Sequence, residues 1–273
     1  LLLQEDKGFR FDINDLKELI TKKTKLLILN SPSNPTGGVL EKEDLDKVAE
    51  LAKEHDFYIL SDEVYSRIVF GDNFPPAKYK KNSFFLSPSI SSLPGMAERT
   101  IVLDGFSKTY AMTGLRLGFA ASKNTEFMKK FLTYAINIWS CIPQPCMEAA
   151  KAVLVKDQKE ATREIDHYRK KRDVCVGLIN KIKGMKCFSP NGSFYLFPNV
   201  TEICKKKGFK DSEELRKYLL HYDDKNKKGV AVLSRIHFGS KLKNEKEEYI
   251  RLSIASDLGV LKEGIKRIKK AIS

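Results

Sequence analysis

Three short apolar runs constrain this chain more than any other feature. "KLLILN" (25–30), "FYILSD" (57–62) and "TIVLDG" (100–105) are each continuously hydrophobic, and each stops abruptly at polar residues. A strand with one solvated face alternates; a strand covered on both faces reads as an unbroken run, as in a parallel sheet. "LRLGFAA" (115–121) reads as a fourth such strand. Between the first two lies "EKEDLDKVAELAKEH" (41–55), with Leu45, Val48, Leu51 and Ala52 at helical spacing. A helix is also expected over 12–22, capped by Asp12 or Asn14. Strand, helix and strand in close succession predict an α/β fold with a mostly parallel sheet flanked by helices.

The pattern changes further on. A charged helical stretch runs from about 160 to 182, followed by a strand (192–198), a helix (211–221), two strands (229–234 and 249–255) and a helix (259–272). That order predicts a smaller α+β unit. The domain boundary is placed inside the long helix, giving a large domain over 1–167 and a small C-terminal domain over 168–273. The chain has 273 residues, enough for two modest domains. It shows no internal repeat and no low-complexity tract.

Composition narrows the function classes. The net charge of +14 brings nucleic acid into consideration. However, the lysines are spread along the chain, and the densest cluster, "CKKKGFK" (204–210), lacks the repeated interleaving of aromatic and basic residues that an RNA-binding platform needs. Solvated faces account for such a pattern, so no nucleic-acid partner is expected. No apolar run approaches the roughly 18 residues of a membrane span, and no signal peptide is visible. The five cysteines contain no CxxC pair and leave one over, which suits a reducing, cytoplasmic setting. The four histidines lack metal-ligand spacing, so no metal site is expected. Neither GxxxxGK[ST] nor GxGxxG occurs, which disfavours a conventional nucleotide-binding protein. The chain opens on "LLLQ" without a methionine, which suggests a missing N-terminal piece.

In open α/β sheets, ligands collect beyond the carboxyl ends of the strands. Each expected strand here ends in polar residues. After "KLLILN" comes "SPSNPTGG", a turn presenting Asn34; after "FYIL" come Asp62 and Tyr65; after "TIVLDGF" come Ser107, Lys108 and then Arg116. Singly, each has an ordinary explanation. Asp62 could cap a helix, "NPTGG" could be only a turn, Tyr65 could be core, and Lys108 could be a surface lysine. Arg116 is harder to dismiss, because an arginine inside a buried strand needs an anion or a carboxylate beside it.

Together the set has one chemical meaning. Arg116 and Ser107 suit a phosphate. Asp62 suits a protonated ring nitrogen, Tyr65 and Asn34 suit a phenolate oxygen, and Lys108 supplies an amine for an aldehyde. Pyridoxal 5′-phosphate carries all four groups.

The chain resembles the class I aminotransferases, the aspartate aminotransferase-like group of fold-type I pyridoxal-phosphate enzymes. The resemblance rests on "NSPSNPTGG" (30–38), "SDEVY" (61–65), "GFSKTYAMTGLRLG" (105–118), "NGSFYLFP" (191–198) and "IRLSIA" (250–255). It implies pyridoxal 5′-phosphate as cofactor, with 1–167 as the cofactor-binding domain. It implies that Lys108 forms a Schiff base with the cofactor and that Asp62 pairs with the ring nitrogen. Tyr65 and Asn34 would meet the phenolate oxygen, and Ser107 and Arg116 the phosphate. Arg251 would clamp the substrate α-carboxylate, with Asn34 beside it. The Asn34–Pro35 bond is expected to be cis. The implied activity is transamination between an amino acid and a 2-oxo acid by a cytoplasmic homodimer, of aspartate or broader range, since "NIWSCIPQPCMEAA" (137–150) holds no second cation. Family members begin roughly a hundred residues further upstream. A sheet lacking that part is expected to expose apolar surface.

Two rival readings share much of this. A carbon–sulfur β-lyase or another lyase or synthase would use the same residues. A pyridoxal-phosphate-sensing transcriptional regulator would need a helix-turn-helix, which these residues do not contain. A pseudoenzyme is disfavoured by the intact Lys108.

Overall fold

A computed structural model describes residues 1–70, 74, 76–79, 82–223, 226, 228–242 and 245–273. The chain divides into two compact units, one made of Leu1–Ser33 with Gly38–Ile165 and the other of Asn34–Gly37 with Asp166–Ser273. The turn carrying Asn34 therefore groups with the C-terminal residues.

The first unit opens with a short antiparallel pair, β1 (Leu3–Gln4) and β2 (Arg10–Phe11), and then α1 (Ile13–Leu19). Asp12 caps α1, its carboxylate accepting from the Asn14 N–H at 2.9 Å. Next come β3 (Leu26–Asn30), α2 (Lys42–Glu54) and β4 (Tyr58–Asp62), and then a hairpin of β5 (Pro76–Tyr79) and β6 (Asn82–Phe85). β7 (Thr100–Gly105), β8 (Gly118–Ala121), α3 (Thr125–Trp139) and α4 (Gln144–Val155) follow, and α5 (Lys159–Ile179) carries the chain into the second unit.

The main sheet has the order β3-β4-β7-β8. β3 runs parallel to β4, with Asn30 opposite Asp62, and β4 runs parallel to β7, with Asp62 opposite Leu103. These are the three strands expected from the apolar runs. The fourth differs from expectation. It begins only at Gly118 and lies antiparallel to β7, with Gly105 opposite Gly118. The two backbones approach so closely that a Cβ on Gly118 would lie 3.0 Å from the Asp104 carbonyl oxygen. Residues 115–117 belong to the turn that reverses the chain, and Arg116 occupies it with φ 51°. Arg116 is thus an exposed turn residue rather than a strand-interior one.

α2 seals one face of the sheet. Its Leu45, Val48, Ala49, Leu51 and Ala52 are buried against Leu29, Ile59 and Phe57. Each fully buried leucine, valine or isoleucine contributes about 1.5–3 kcal/mol. The Asp44 carboxylate accepts from the Glu41 N–H at 2.9 Å and so satisfies a donor at the helix start. On the other face, Leu26 and Ile28 of β3 and Tyr58 of β4 are exposed, Ile28 at 64%. No residue of α3 is buried, and its Ile138 and Trp139 are exposed.

The second unit packs the C-terminal part of α5 with β9 (Tyr195–Leu196), α6 (Thr201–Lys207), α7 (Ser212–His221), β10 (Leu233–Ser234), β11 (Ile250–Ser253) and α8 (Leu258–Ile272). Its antiparallel sheet has the order β10-β11-β9. The strands are shorter than expected for identifiable reasons. Ser193 has φ 56°, which breaks the run before Tyr195, and Pro198 has no N–H to continue the ladder. Val230 donates its N–H to the Leu219 carbonyl of α7 at 2.8 Å instead of to a strand. The core includes Ile179, Leu215, Leu219, Ile265 and Ile268, all buried.

Candidate active site

Two of the predicted residues emerge from the carboxyl ends of neighbouring parallel strands. Asp62 closes β4, and Lys108 follows β7 by three residues. The alternation of β4 places Asp62 on the face of Ile28, opposite to Ile59 and α2. Its carboxylate accepts from the Val64 N–H at 3.3 Å, and the Asn30 side-chain amide donates to its carbonyl at 3.3 Å. The chain then makes a tight turn, in which Ser66 N donates to Glu63 O at 2.7 Å and Ile68 N to Tyr65 O at 2.8 Å. That turn buries Tyr65, 3% exposed, and the Lys108 Nζ lies 5.8 Å from its ring centroid. Asp62, Tyr65 and Lys108 are therefore brought together by strand register and one turn.

Ser107 and Arg116 are joined by the loop after β7. The Phe106 N–H donates to the Leu117 carbonyl at 3.2 Å, and the Met112 N–H donates to the Phe106 carbonyl at 3.2 Å. These bonds pin the loop ends, so Ser107 and Arg116 sit just inside the same closure. The Arg116 guanidinium donates to the Thr113 carbonyl at 3.0 Å and is otherwise directed from an exposed position.

Asn34 and Arg251 belong to the second unit. The peptide bond after Asn34 is cis. Arg251, on β11, donates from Nη1 to the Asn34 Oδ1 at 2.7 Å. Its guanidinium carbon lies 4.2 Å from the Tyr195 ring centroid and 5.2 Å from that of Phe238. Its Nε is buried and has no hydrogen-bond partner among the described residues. A buried, unanswered guanidinium N–H costs free energy unless an acceptor arrives, and a carboxylate accepts from such a fork in two places.

Several neighbours were not singled out from the sequence. Glu63 directly follows Asp62, and its Oε1 accepts from the hydroxyls of Ser61 at 2.8 Å and Ser89 at 2.6 Å. Burial pushes the Glu63 carboxyl up despite those donors. Asp104, beside it on β7, is pushed up to about 6, chiefly by burial and then by the charges of Glu63 and Asp62, while the Gly105 N–H works in the other direction. Arg67 is buried, donating from Nη1 to Tyr110 Oη at 3.1 Å and Gln158 Oε1 at 2.5 Å and stacking on Phe84 at 4.1 Å. Tyr110 is two residues past Lys108, so this network buttresses the lysine's loop. The only sequence signal for Glu63 and Arg67 is their position within "SDEVYSR"; Gln158 gives none, being 91 residues from Arg67. Among the described residues, no group of His, Cys, Asp or Glu could hold a metal ion, and no helix is long and apolar enough to cross a membrane.

Comparison with known proteins yields a consistent set of relatives. The family profile described as "Aminotransferase class I and II" matches residues 2–268. The chain is 37% identical over 267 residues to a putative aminotransferase, YugH, of Bacillus subtilis, covering 97% of this chain and 61% of that protein. It is 36% identical over 273 residues to an aspartate aminotransferase of Pyrococcus abyssi, covering 98% of this chain and 62% of that one. An aromatic aminotransferase structure from Pyrococcus horikoshii superposes with a TM-score of 0.83 at 33% identity, covering 98% of this chain and 65% of that one. The chain thus spans about three fifths of the length of the curated relatives it matches. Aminotransferases of this class use pyridoxal 5′-phosphate. The donor set here fits that group: a carboxylate, a phenol and an amine at adjoining strand ends, with a hydroxyl and a guanidinium at one loop closure. On the profile match and the relatives alike, the chain belongs to the class I and II aminotransferase family.

Proposed function

We propose that this chain carries the catalytic residues of a pyridoxal-phosphate-dependent aminotransferase that moves an amino group between an amino acid and a 2-oxo acid. The observation that carries the reading is the convergence of Asp62, Tyr65 and Lys108 at the ends of β4 and β7, with the Lys108 Nζ 5.8 Å from the Tyr65 ring. Asp62 would hold the protonated ring nitrogen, Tyr65 and Asn34 the phenolate oxygen, and Ser107 and Arg116 the phosphate. When bound, the cofactor supplies an electron sink for the charge left on the substrate carbon.

The chain's own residues do the rest. Lys108 would anchor the cofactor and, with its amine free, would take the proton from the Cα of the amino acid. Arg251 receives the α-carboxylate, its orphaned Nε completing a two-point grip while Asn34 steadies Nη1. Tyr195 and Phe238 pack against the guanidinium and limit its orientation. Residues 1–167 serve the cofactor and 168–273 the substrate carboxylate, in a cytoplasmic homodimer.

Incubation with pyridoxal 5′-phosphate, borohydride reduction and mass mapping tests this reading. The expected result is one reduced adduct, on Lys108. Lys108→Ala is expected to abolish turnover by at least about a thousandfold, since it removes nucleophile and base together, while the melting profile stays that of the parent. An adduct on another lysine, or undiminished turnover in the variant, would sink the assignment.

A further inference from the structure

The chain's charge is segregated. Residues 1–165 hold 23 lysines and arginines against 22 aspartates and glutamates, whereas residues 166–273 hold 26 against 13. Because Asn34–Gly37 carries no charge, nearly all of the net +14 belongs to the second unit. Such asymmetry points to a polyanionic partner.

The structure shows where that charge converges. Lys205, Lys206 and Lys207 form the last turn of α6, and Lys269 and Lys270 lie in the last turn of α8. All five are exposed. Lys207 donates from Nζ to the Ser273 carbonyl at 2.7 Å, so the two lysine-rich helix ends abut. Tyr218 of α7 donates its hydroxyl to the Ala271 carbonyl at 3.0 Å, which brings its ring to the same edge. Tyr218 is 40% exposed, and its ring neighbours those of Phe209 at 5.3 Å and Tyr222 at 5.9 Å.

Along the chain, a single ring, Phe209, falls within the basic cluster. In space, three rings lie beside five lysines from two other helices. Lysines near helix C-termini offset the helix dipole, which explains one or two per helix. It does not explain five beside an exposed tyrosine flanked by two half-buried rings. Among the described residues of the two helices, Glu202 lies in the first turn of α6, away from its lysine-bearing end, and Glu263 of α8 is taken by Arg267 at 2.9 Å. The apolar face of α8 (Ile265, Ile268, Ala271 and Ile272) is buried, so it offers no greasy face to a lipid surface.

We propose that this edge of the second unit binds single-stranded nucleic acid, with phosphates held by Lys205, Lys206, Lys207, Lys269 and Lys270 and bases stacked on Tyr218 beside Phe209 and Tyr222. Lysines track the backbone and rings take the base faces, the combination that single strands require and a closed duplex cannot use. This surface is independent of the aminotransferase reading.

The test is fluorescence anisotropy of the full chain with a labelled oligouridine of about 20 nucleotides, its duplex with oligoadenosine, and anionic phospholipid vesicles, between about 50 and 200 mM salt. The single strand is expected to bind tightest, weakening steeply with salt. Reversing three exposed charges together (Lys206→Glu, Lys269→Glu, Lys270→Glu) should weaken it more than tenfold and flatten the log–log salt slope by about 2, at roughly 0.7 for each phosphate no longer neutralised. Tyr218→Leu keeps an apolar body but loses the stacking face; it should cost about tenfold with the slope unchanged. Should that variant fail to fold, the charge reversal, confined to exposed side chains, still decides the matter. Absence of binding, equal or tighter binding of the duplex, preference for vesicles, or a charge-reversed variant that binds like its parent would each overturn the proposal.

Discussion

The two units treat the same residue type in opposite ways. In the first, Glu63 and Asp104 are half-buried with hydroxyls and a backbone N–H as their hydrogen-bond donors, and both carboxyls are pushed up, Asp104 to about 6. In the second, Glu245 and Glu248 are each only 8% exposed, yet Glu245 meets Arg235 and Glu248 meets Lys241. Glu213 there is drawn down to about 2 by the Arg216 guanidinium, with the Ser234 hydroxyl assisting. Desolvation without a paired cation raises Glu63 and Asp104, whereas a paired guanidinium lowers Glu213. The first unit gathers carboxylates of one sign around Asp62, an arrangement that costs stability and is characteristic of functional sites. The second disperses an excess of cations and uses some of them to secure its few buried acids.

Removing a cation from the second unit should break this contrast most violently. Arg235 grips Glu245 through two bonds, Nε to Oε1 at 2.5 Å and Nη2 to Oε2 at 2.9 Å. Arg235→Ala leaves the Glu245 side chain, 3% exposed, as an uncompensated buried charge. The expected loss is about 3–5 kcal/mol in urea-unfolding stability at pH 7. A loss below about 1 kcal/mol would mean that water or another cation replaces the arginine, and the contrast between the units would weaken accordingly.

The first unit should respond in the other direction. Asp104 titrates near 6 in the fold and near 3.8 when unfolded, so the folded state holds the proton more tightly. Its stabilising contribution is complete below about pH 3.8 and is lost as pH rises through 6. Asp104→Asn keeps an acceptor for the Gly105 N–H, bonded at 2.6 Å in the parent, and removes the charge. The variant should therefore be more stable than its parent by about 3 kcal/mol at pH 8, with no advantage at pH 3.5. Equal stability at both pH values would show that the carboxylate is solvated rather than desolvated.

This contrast also marks what the sequence could reveal. The parallel strands and α2 were legible because their signals are local: unbroken runs in "KLLILN", "FYILSD" and "TIVLDG", and helical spacing from Leu45 to Ala52. Asp62, Tyr65 and Lys108 stood out because polar residues follow those runs directly. Arg116 misled, because its apolar neighbours mimic a strand while the backbone turns through φ 51°. The strands of the second unit are shorter than their apolar runs because Val230 is claimed by α7, a pairing no run of residues announces. Long-range pairs left no trace at all. Arg67 and Gln158 are 91 residues apart and Tyr218 and Ala271 are 53 apart, so the buttress behind the Lys108 loop and the aromatic–lysine edge exist only in three dimensions.

The smallest expected effect sharpens the comparison furthest, because its pH dependence runs opposite to that of Asp104. The Glu213 carboxyl titrates at about 2 in the fold against 4.5 when unfolded. Its stabilisation is present above 4.5 and is lost as pH falls through 2. Glu213→Gln keeps the side-chain length but replaces charge-assisted bonds to Arg216, at 2.7 and 2.8 Å, with neutral ones. The expected deficit is about 1.5 kcal/mol at pH 7, shrinking below pH 4.5 and closing towards pH 2. Stability curves of the Glu213 and Asp104 variants should therefore leave the parent's curve in opposite directions as pH rises: at neutral pH the first is less stable than the parent and the second more. If the two curves ran parallel, net charge alone would govern both carboxylates, and the local cation would not be what distinguishes the two units.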